Sequence, residues 1–506
     1  MTDKSKNIHG RKWRGFHKWV GLAICILMPV FCVSGIILNH RDAVRGMGVP
    51  RGLMPSAYHL KDYNNGIVRG TLSAGADSLL MFGNAGVWLT DSSFARHADF
   101  NEGIDEGPDN RAVRNIVRTR DGRLWCATQY ALYVRGCGRW HKADLPHLRG
   151  RITDIALPPD SLAPVVLTRS GIYTPARGAY AYRELAAPEG YTGRVSLFRT
   201  VWQLHSGELF GLGGRIAVDA IALIVIVLCI TGLVVFVMPY AIRRSAAARI
   251  KSRAAALKWD LRQHNTIGLW TIVLTLIVAA TGMCLRPPLM IPLVLTKTAP
   301  LPGSAMDSDN PWHDKLRALR FDSATGEWIL STSEGFYLMD ATLDGTPRAA
   351  AVQPPVSPMG VNVFEKNADG EWLVGSFSGL YRWDRADAKV LDAFTGEPYT
   401  RPAGRPVGSR LVSGYSPHLA GGTVFDYATG AEGLPPMPDV LREQKMSLWN
   451  FALELHVGRC YTPLLGPFSE LFVFVAGLMA VLVLVSGLIL NRRMARRMAR
   501  RKKTRK

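Results

Sequence analysis

Four stretches of almost unbroken apolar residues, at about 18–39, 213–238, 265–286 and 468–490, stand out from a chain that elsewhere alternates apolar and polar positions. Each approaches the roughly 20 apolar residues that carry a helix across a hydrocarbon core, so the pattern predicts four membrane spans. Basic residues precede the first stretch, as they do in a secretory signal. Its length and the lack of a small-residue cleavage site predict a retained anchor instead.

The segments between the spans, 40–204 and 287–447, carry short period-two runs, and one motif recurs in them. It reads strand, tight turn, strand: Asp77 to Trp88 around Gly86, Asp121 to Tyr133 around Ala131, and Val165 to Tyr173 around Gly171. The later segment repeats it as Thr325 to Tyr337 around Gly335 and Asp369 to Tyr381 around Gly379, with a weaker copy at Gly421 to Phe425. A glycine suits the turn because a tight hairpin needs positive φ. The turn positions lie 45 and 40 residues apart in the first segment, then 44 and about 43 in the second, which is the period of a propeller blade. The motif resembles the blades of the regulator-type β-propellers of bacterial sensor proteins. Three blades cannot close a ring and six can. The expected fold is therefore a membrane α-helical bundle of four helices in two pseudo-repeats, with an all-β extracytoplasmic region. That region is expected to be a six-bladed β-propeller built from two insertions, each a half propeller. Independent β-sandwich domains are the alternative.

The apolar runs also carry a repeated polar signature. His17-Lys18-Trp19-Val20-Gly21-Leu22 opens the first, and Ser34-Gly35 follows with its glycine 18 residues on; His264 to Gly268-Leu269-Trp270 opens the third, and Thr281-Gly282 repeats the interval. Leu204-His205-Ser206-Gly207 leads into the run ending Thr231-Gly232, and Leu455-His456-Val457-Gly458 into the run ending Ser486-Gly487. The chain thus reads as two copies of one unit: helix, insertion, helix.

Charge orients these helices. Residues 1–18 hold six Lys or Arg and one Asp, 239–264 hold seven and Asp260, and 491–506 hold ten and no acid; together they carry the whole formal net charge of +21. The positive-inside rule makes the N-terminus (1–17), the middle loop (239–264) and the tail (491–506) cytoplasmic. It places both insertions outside, in a multi-pass membrane protein. The tail directly abuts a span, so lipid rather than nucleic acid is its expected partner. The seven cysteines show no CxxC and no zinc spacing, although Cys126 and Cys137 share an insertion and could pair.

Of twelve histidines, five sit at helix ends. His17 and His264 fall at the cytoplasmic end, and His205, His456 and His40 at the external end. A haem b between helices needs two facing imidazoles in an apolar slot. His17 with His264 offers one such axial pair and His205 with His456 the other. The second is the less regular, since His to terminal Gly is 27 residues in one copy and 31 in the other. His40, which lacks a symmetry mate, could replace either member. A lone interfacial histidine is commonly a snorkelling residue or cap partner; repetition in register raises these above that background. The glycines near the helix ends read first as packing residues. Arg215 and Asp219, at i and i+4, form a candidate ion pair, and Arg41, Arg215 and Arg286 could meet propionates or lipid phosphate.

These residues, His-x-Trp-x-Gly-Leu with a following Ser/Thr-Gly and the Leu-His-x-Gly leaders, resemble the PepSY-associated transmembrane family of bacterial inner-membrane proteins. Better understood relatives look like haem-bearing ferric-siderophore reductases. The resemblance implies two haems b on His17, His264, His205 and His456, and no catalytic side chain of the protein's own. It further implies a ferric chelate or siderophore as periplasmic acceptor and a cytoplasmic or quinone electron donor, since no flavin or nicotinamide fingerprint is present. Neither insertion contains a recognisable PepSY module, so substrate specificity is not inherited. The rival from another class is a haem-free, membrane-anchored propeller that senses or scaffolds.

Overall fold

In a computed structural model the chain divides into two compact units, one of Met1–Val44, Gly193–Asp307 and Trp449–Lys506, the other of Arg45–Thr192 and Ser308–Leu448. The structure describes residues 3–503 apart from 177, 356, 368, 401–409 and 420. The side chains of the basic ends, 1–10 and 493–506, lie outside the described residues.

The first unit is helical. Its principal helices are α1 (Asp3–Asn39), α2 (Leu197–Ser206), α3 (Gly211–Arg243), α4 (Ala247–Cys284), α5 (Leu448–His456) and α6 (Ser469–Lys503). α1, α3, α4 and α6 contain stretches long and apolar enough to cross a membrane, and they make this a membrane protein with four candidate spans. They pack in a ring, α1 on α3 and α6, and α4 on the same two. Large apolar side chains such as Ile26 and Val273 stay about two-thirds uncovered, at 68% and 65%, as befits a surface whose solvent is lipid. The basic stretch 239–264, expected as a loop, is helical except at 244–246. Its alanines, lysines and arginines are strong helix formers and simply extend the spans.

α2 and α5 are the leaders that bring His205 and His456 to the bundle. Each ends two residues after its histidine at a left-handed glycine, Gly207 (φ +82°) and Gly458 (φ +80°). A Cβ at Gly207 would lie 2.2 Å from the Gly214 carbonyl oxygen. This is why the Leu-His-x-Gly motif needs its glycine: it caps the leader and turns the chain into the span. The start of α2 is held by the ribbon Val195–Ser196 with Lys297–Thr298. α5 is held by the Trp449 indole, which donates to the Leu38 carbonyl at 3.1 Å, with Arg41 stacked 3.9 Å over the same ring.

The second unit is all-β. It holds five four-stranded antiparallel sheets at 70–99, 113–142, 152–183, 316–349 and 363–392, and a two-stranded one at 412–426. The first sheet packs on the second, the second on the third, the third on the fourth, and the sixth on both the fifth and the first. The fourth and fifth share a core that includes Phe336, Phe364, Trp372 and Trp383. The recurring motif supplies the second and third strands of each four-stranded sheet. At three of its turns a threonine hydroxyl (Thr128, Thr168, Thr332) accepts the N–H three residues on, an ordinary hydroxyl-stabilised turn.

The two insertions meet through a buried carboxylate. Bulges in the first strands of the second and third sheets re-aim Asn115 and Asp154. Asp154 accepts from Asn115 Nδ2 at 3.0 Å, from the Leu319 amide at 3.0 Å and from Arg320 Nη1 at 2.5 Å. The other seam joins Thr71 to Ser416 at 2.7 Å and to His418 Nδ1 at 2.9 Å. Cys126 is buried in a core shared by the first two sheets while Cys137 is exposed, and both are free thiols.

Candidate functional site

Four histidines of the helical unit are seated in one and the same way. His17 Nδ1 lies 3.1 Å from the Val483 carbonyl oxygen and 2.8 Å from Ser486 Oγ. His456 Nδ1 lies 3.0 Å from both the Phe31 carbonyl and Ser34 Oγ. His205 Nδ1 meets the Val278 carbonyl at 3.0 Å and Thr281 Oγ1 at 3.4 Å. His264 Nδ1 meets Thr231 Oγ1 at 2.9 Å and the carbonyl of Leu228. Every seat is one turn of a span: a carbonyl at i, a hydroxyl at i+3 and a glycine at i+4.

At three of the four seats the ring itself requires the glycine. A Cβ would stand 2.7 Å from His205 Cε1 at Gly282, 3.2 Å from His456 Cε1 at Gly35 and 3.2 Å from His17 Cε1 at Gly487. At Gly232 the corresponding distance to His264 is 3.6 Å. The Ser/Thr-Gly pairs were visible in the sequence as helix ends. What was not visible is that each receives a histidine, because a partner up to 469 positions away leaves no local mark.

A carbonyl can only accept, so Nδ1 is the protonated nitrogen in each ring. The hydroxyls donate to their own helices, as Ser34 Oγ does to the Val30 carbonyl at 2.7 Å, and keep a lone pair for Nδ1–H. Nε2 is left as a lone-pair donor with no hydrogen bond among the described residues. Burial lowers the basicity of His205 and His456, the latter to about 3, with His205 and Arg286 adding to the effect. Burial thus favours the neutral ring, the form a metal ligand takes.

The seats bring the rings together in two pairs, His17 with His264 at 6.4 Å between centroids and His205 with His456 at 6.1 Å. Two imidazoles sharing one metal ion, with bonds of about 2.0–2.1 Å, have centroids about 6 Å apart. Among the described residues no group of three or more His, Cys, Asp or Glu is placed to hold a bare metal ion. The pairs therefore suit an ion that brings its remaining ligands with it. Along α1 the turn seating His456 lies about 25 Å from His17. The unequal spacing of the two leaders is absorbed outside the helices, where 459–468 forms short irregular turns and 207–211 a single one.

His40 stands apart from both pairs. Its Nε2 lies 2.7 Å from Asp219 Oδ2, and Asn39 Nδ2 donates to the other oxygen at 3.0 Å. The expected Arg215–Asp219 pair does not form: Arg215 Nη1 turns to the Asn39 carbonyl at 3.5 Å, and the shorter imidazole takes the carboxylate. Arg286 donates to the Val457 carbonyl, beside His456.

The PepSY-associated TM region description matches this chain twice, over residues 2–238 and again over 237–493. The chain belongs to that family. Two tandem matches make the PepSY-associated TM region itself the unit that occurs twice, each copy carrying two spans and one insertion. No curated protein matches the chain. Among solved structures, the extracellular domain of a hybrid two component system from B. thetaiotaomicron is similar at TM-score 0.36 and 10% identity, over 72% of this chain and 32% of that one. The extracellular domain of a one component system from the same organism is similar at TM-score 0.35 and 9% identity, over 79% and 44%. The chain thus spans less than half the length of either, and at these scores the likeness carries no argument.

Proposed function

We propose that this PepSY-associated TM protein binds two b-type haems and moves electrons across the bacterial inner membrane to a ferric chelate, such as a ferric siderophore, in the periplasm. Electrons would enter from the cytoplasmic side or the quinone pool. The observation that carries the reading is the fourfold seat, which fixes four imidazoles in one tautomer, with Nε2 unbonded, in two pairs at the spacing of a shared metal.

His17 and His264 would hold one haem, and His205 and His456 the other. When bound, haem supplies one-electron iron chemistry. The protein's part is to orient the ligands: each carbonyl and hydroxyl holds an Nδ1–H, aims Nε2 and raises ligand basicity. The seat glycines keep each ring against its helix.

The charge asymmetry supports cytoplasmic termini and periplasmic insertions. The cyclic packing of six sheets supports a single six-bladed propeller, half from each insertion, which would present the acceptor's docking surface.

The test is the reduced-minus-oxidised visible spectrum of the purified protein with a pyridine haemochrome count. Two b haems per chain, falling to one in His17→Ala or His264→Ala, are expected. A protein that stays colourless after haem supplementation overturns the reading in favour of a membrane-anchored sensor or scaffold.

A further inference from the structure

The His40–Asp219 pair belongs to neither histidine pair and to only one of the two repeats. Counting back from the seat glycines, Asp219 of α3 corresponds to Phe474 of α6, and His40 after α1 corresponds to Pro287 after α4. Bundle packing alone would ask for the same residues in both copies. A carboxylate inside a candidate span is costly to take out of water, so one kept in a span has a use to be accounted for.

The geometry around it is that of an oriented base. Asp219 Oδ2 takes the Nε2–H of His40 at 2.7 Å, and Asn39 Nδ2 fixes the second oxygen while also reaching the Ser206 carbonyl at 3.1 Å. With Nε2–H committed, Nδ1 is the free lone pair, and it has no hydrogen bond among the described residues. The imidazole is 44% exposed. On α3, Leu212, Ile216 and Leu223 lie on the same stripe as Asp219 and are 62%, 57% and 57% uncovered. The charged groups nearby are Arg215 on α3 and Arg41, whose guanidinium is stacked on Trp449 of α5. Ser206, tied to the cluster through Asn39, directly follows His205 of the second histidine pair.

A lone-pair acceptor held by a carboxylate on an otherwise apolar, uncovered helix stripe, linked through Asn39 and Ser206 to the neighbourhood of His205, suits a donor that is apolar, acidic at oxygen and redox-active. We propose that His40 and Asp219 form the binding site of a membrane-soluble hydroquinone, the electron donor; this rests on the function proposed above. The hydroquinone is oxidised to the quinone. Its two O–H bonds break, and the protons pass in turn to His40 Nδ1 and on to water. Its two electrons would go, one each, to two ferric irons of the chelate that the proposed function reduces, leaving them ferrous.

The test is photolabelling of the full-length protein in detergent with a short-chain azido-benzoquinone, read by peptide mass spectrometry, which does not depend on haem. Label is expected in peptides holding His40 or residues 212–223. Apparent affinity should fall about tenfold, or about 1.4 kcal/mol, in Asp219→Asn and in His40→Gln. Glu470→Gln, in the other repeat, should label as the parent does. Label that is absent, elsewhere, or indifferent to both variants overturns the site. A haem-free protein that labels as expected keeps the site and removes the electron-transfer reading; a di-haem protein that does not label does the reverse.

Discussion

Ser34 and His456 are joined by a 3.0 Å hydrogen bond across 422 positions of sequence. The hydroxyl sits on the first span and the imidazole on the last leader helix, so the second histidine pair exists only when the two ends of the chain are assembled. Removing that hydroxyl leaves the Phe31 carbonyl in place. In Ser34→Ala both haems should be retained, while the imidazole loses basicity and ferrous iron is relatively favoured. The potential of one haem should rise by up to about 40 mV, as expected for about 1 kcal/mol. A spectroelectrochemical titration checks both the size and the sign.

The four seat glycines should not respond alike to alanine. A Cβ at Gly282 would lie 2.7 Å from the His205 ring, whereas at Gly232 it would lie 3.6 Å from His264, an ordinary contact. Gly282→Ala is expected to lose one haem of two in the haemochrome count and Gly232→Ala to keep both. Equal losses would mean that the glycines serve helix packing and not the rings.

Asp154 binds the two insertions together with a side chain only 5% exposed, and Arg320 opposite it is 23% exposed. Asp154→Ala removes the carboxylate from a part-buried guanidinium, which keeps only the Phe364 and Leu319 carbonyls as acceptors among the described residues, and should destabilise the β unit by about 3 kcal/mol. Asp160→Ala, which breaks the exposed Arg120 pair, should cost under about 1 kcal/mol. Thermal unfolding of the full chain followed by tryptophan fluorescence separates the two.

Asp322 provides a pH dependence. Burial by itself would raise its pKa, but Lys366 at 2.8 Å, the Trp372 indole and Arg385 hold the carboxylate below its usual range. A depressed folded pKa contributes stability above the unfolded value of about 3.9, and that contribution is lost as pH falls through the folded one. Asp322→Asn should therefore unfold at a lower temperature than the parent at pH 7. The difference should shrink steadily below about pH 4.

The spans, their pseudo-repeat and the strand motif were legible because each is written locally, in runs of about 20 apolar residues or in a turn glycine every 40 or so. The pairing of His17 with His264 and of His205 with His456 was legible only as symmetry. Their seats were hidden because Ser/Thr-Gly at a helix end has a sufficient local explanation in packing. Asp219 misled for a related reason: Arg215, at i+4 spacing, was the visible partner, while His40 was nearer in space. The helical stretch at 239–264 was masked by its charge, which reads as a loop although its residues favour helix.

Every one of the four seats crosses between repeats. His17 and His205, of the first copy, rest on α6 and α4 of the second; His264 and His456, of the second, rest on α3 and α1 of the first. Neither copy can complete a single site by itself. A half-length ancestor would have had to dimerise about a two-fold axis, each protomer lending histidines to its twin and receiving them back. Carried in one chain, that reciprocal exchange is independent of concentration. It also leaves the copies free to differ, with Asp219 in one and Phe474 at the matching position of the other.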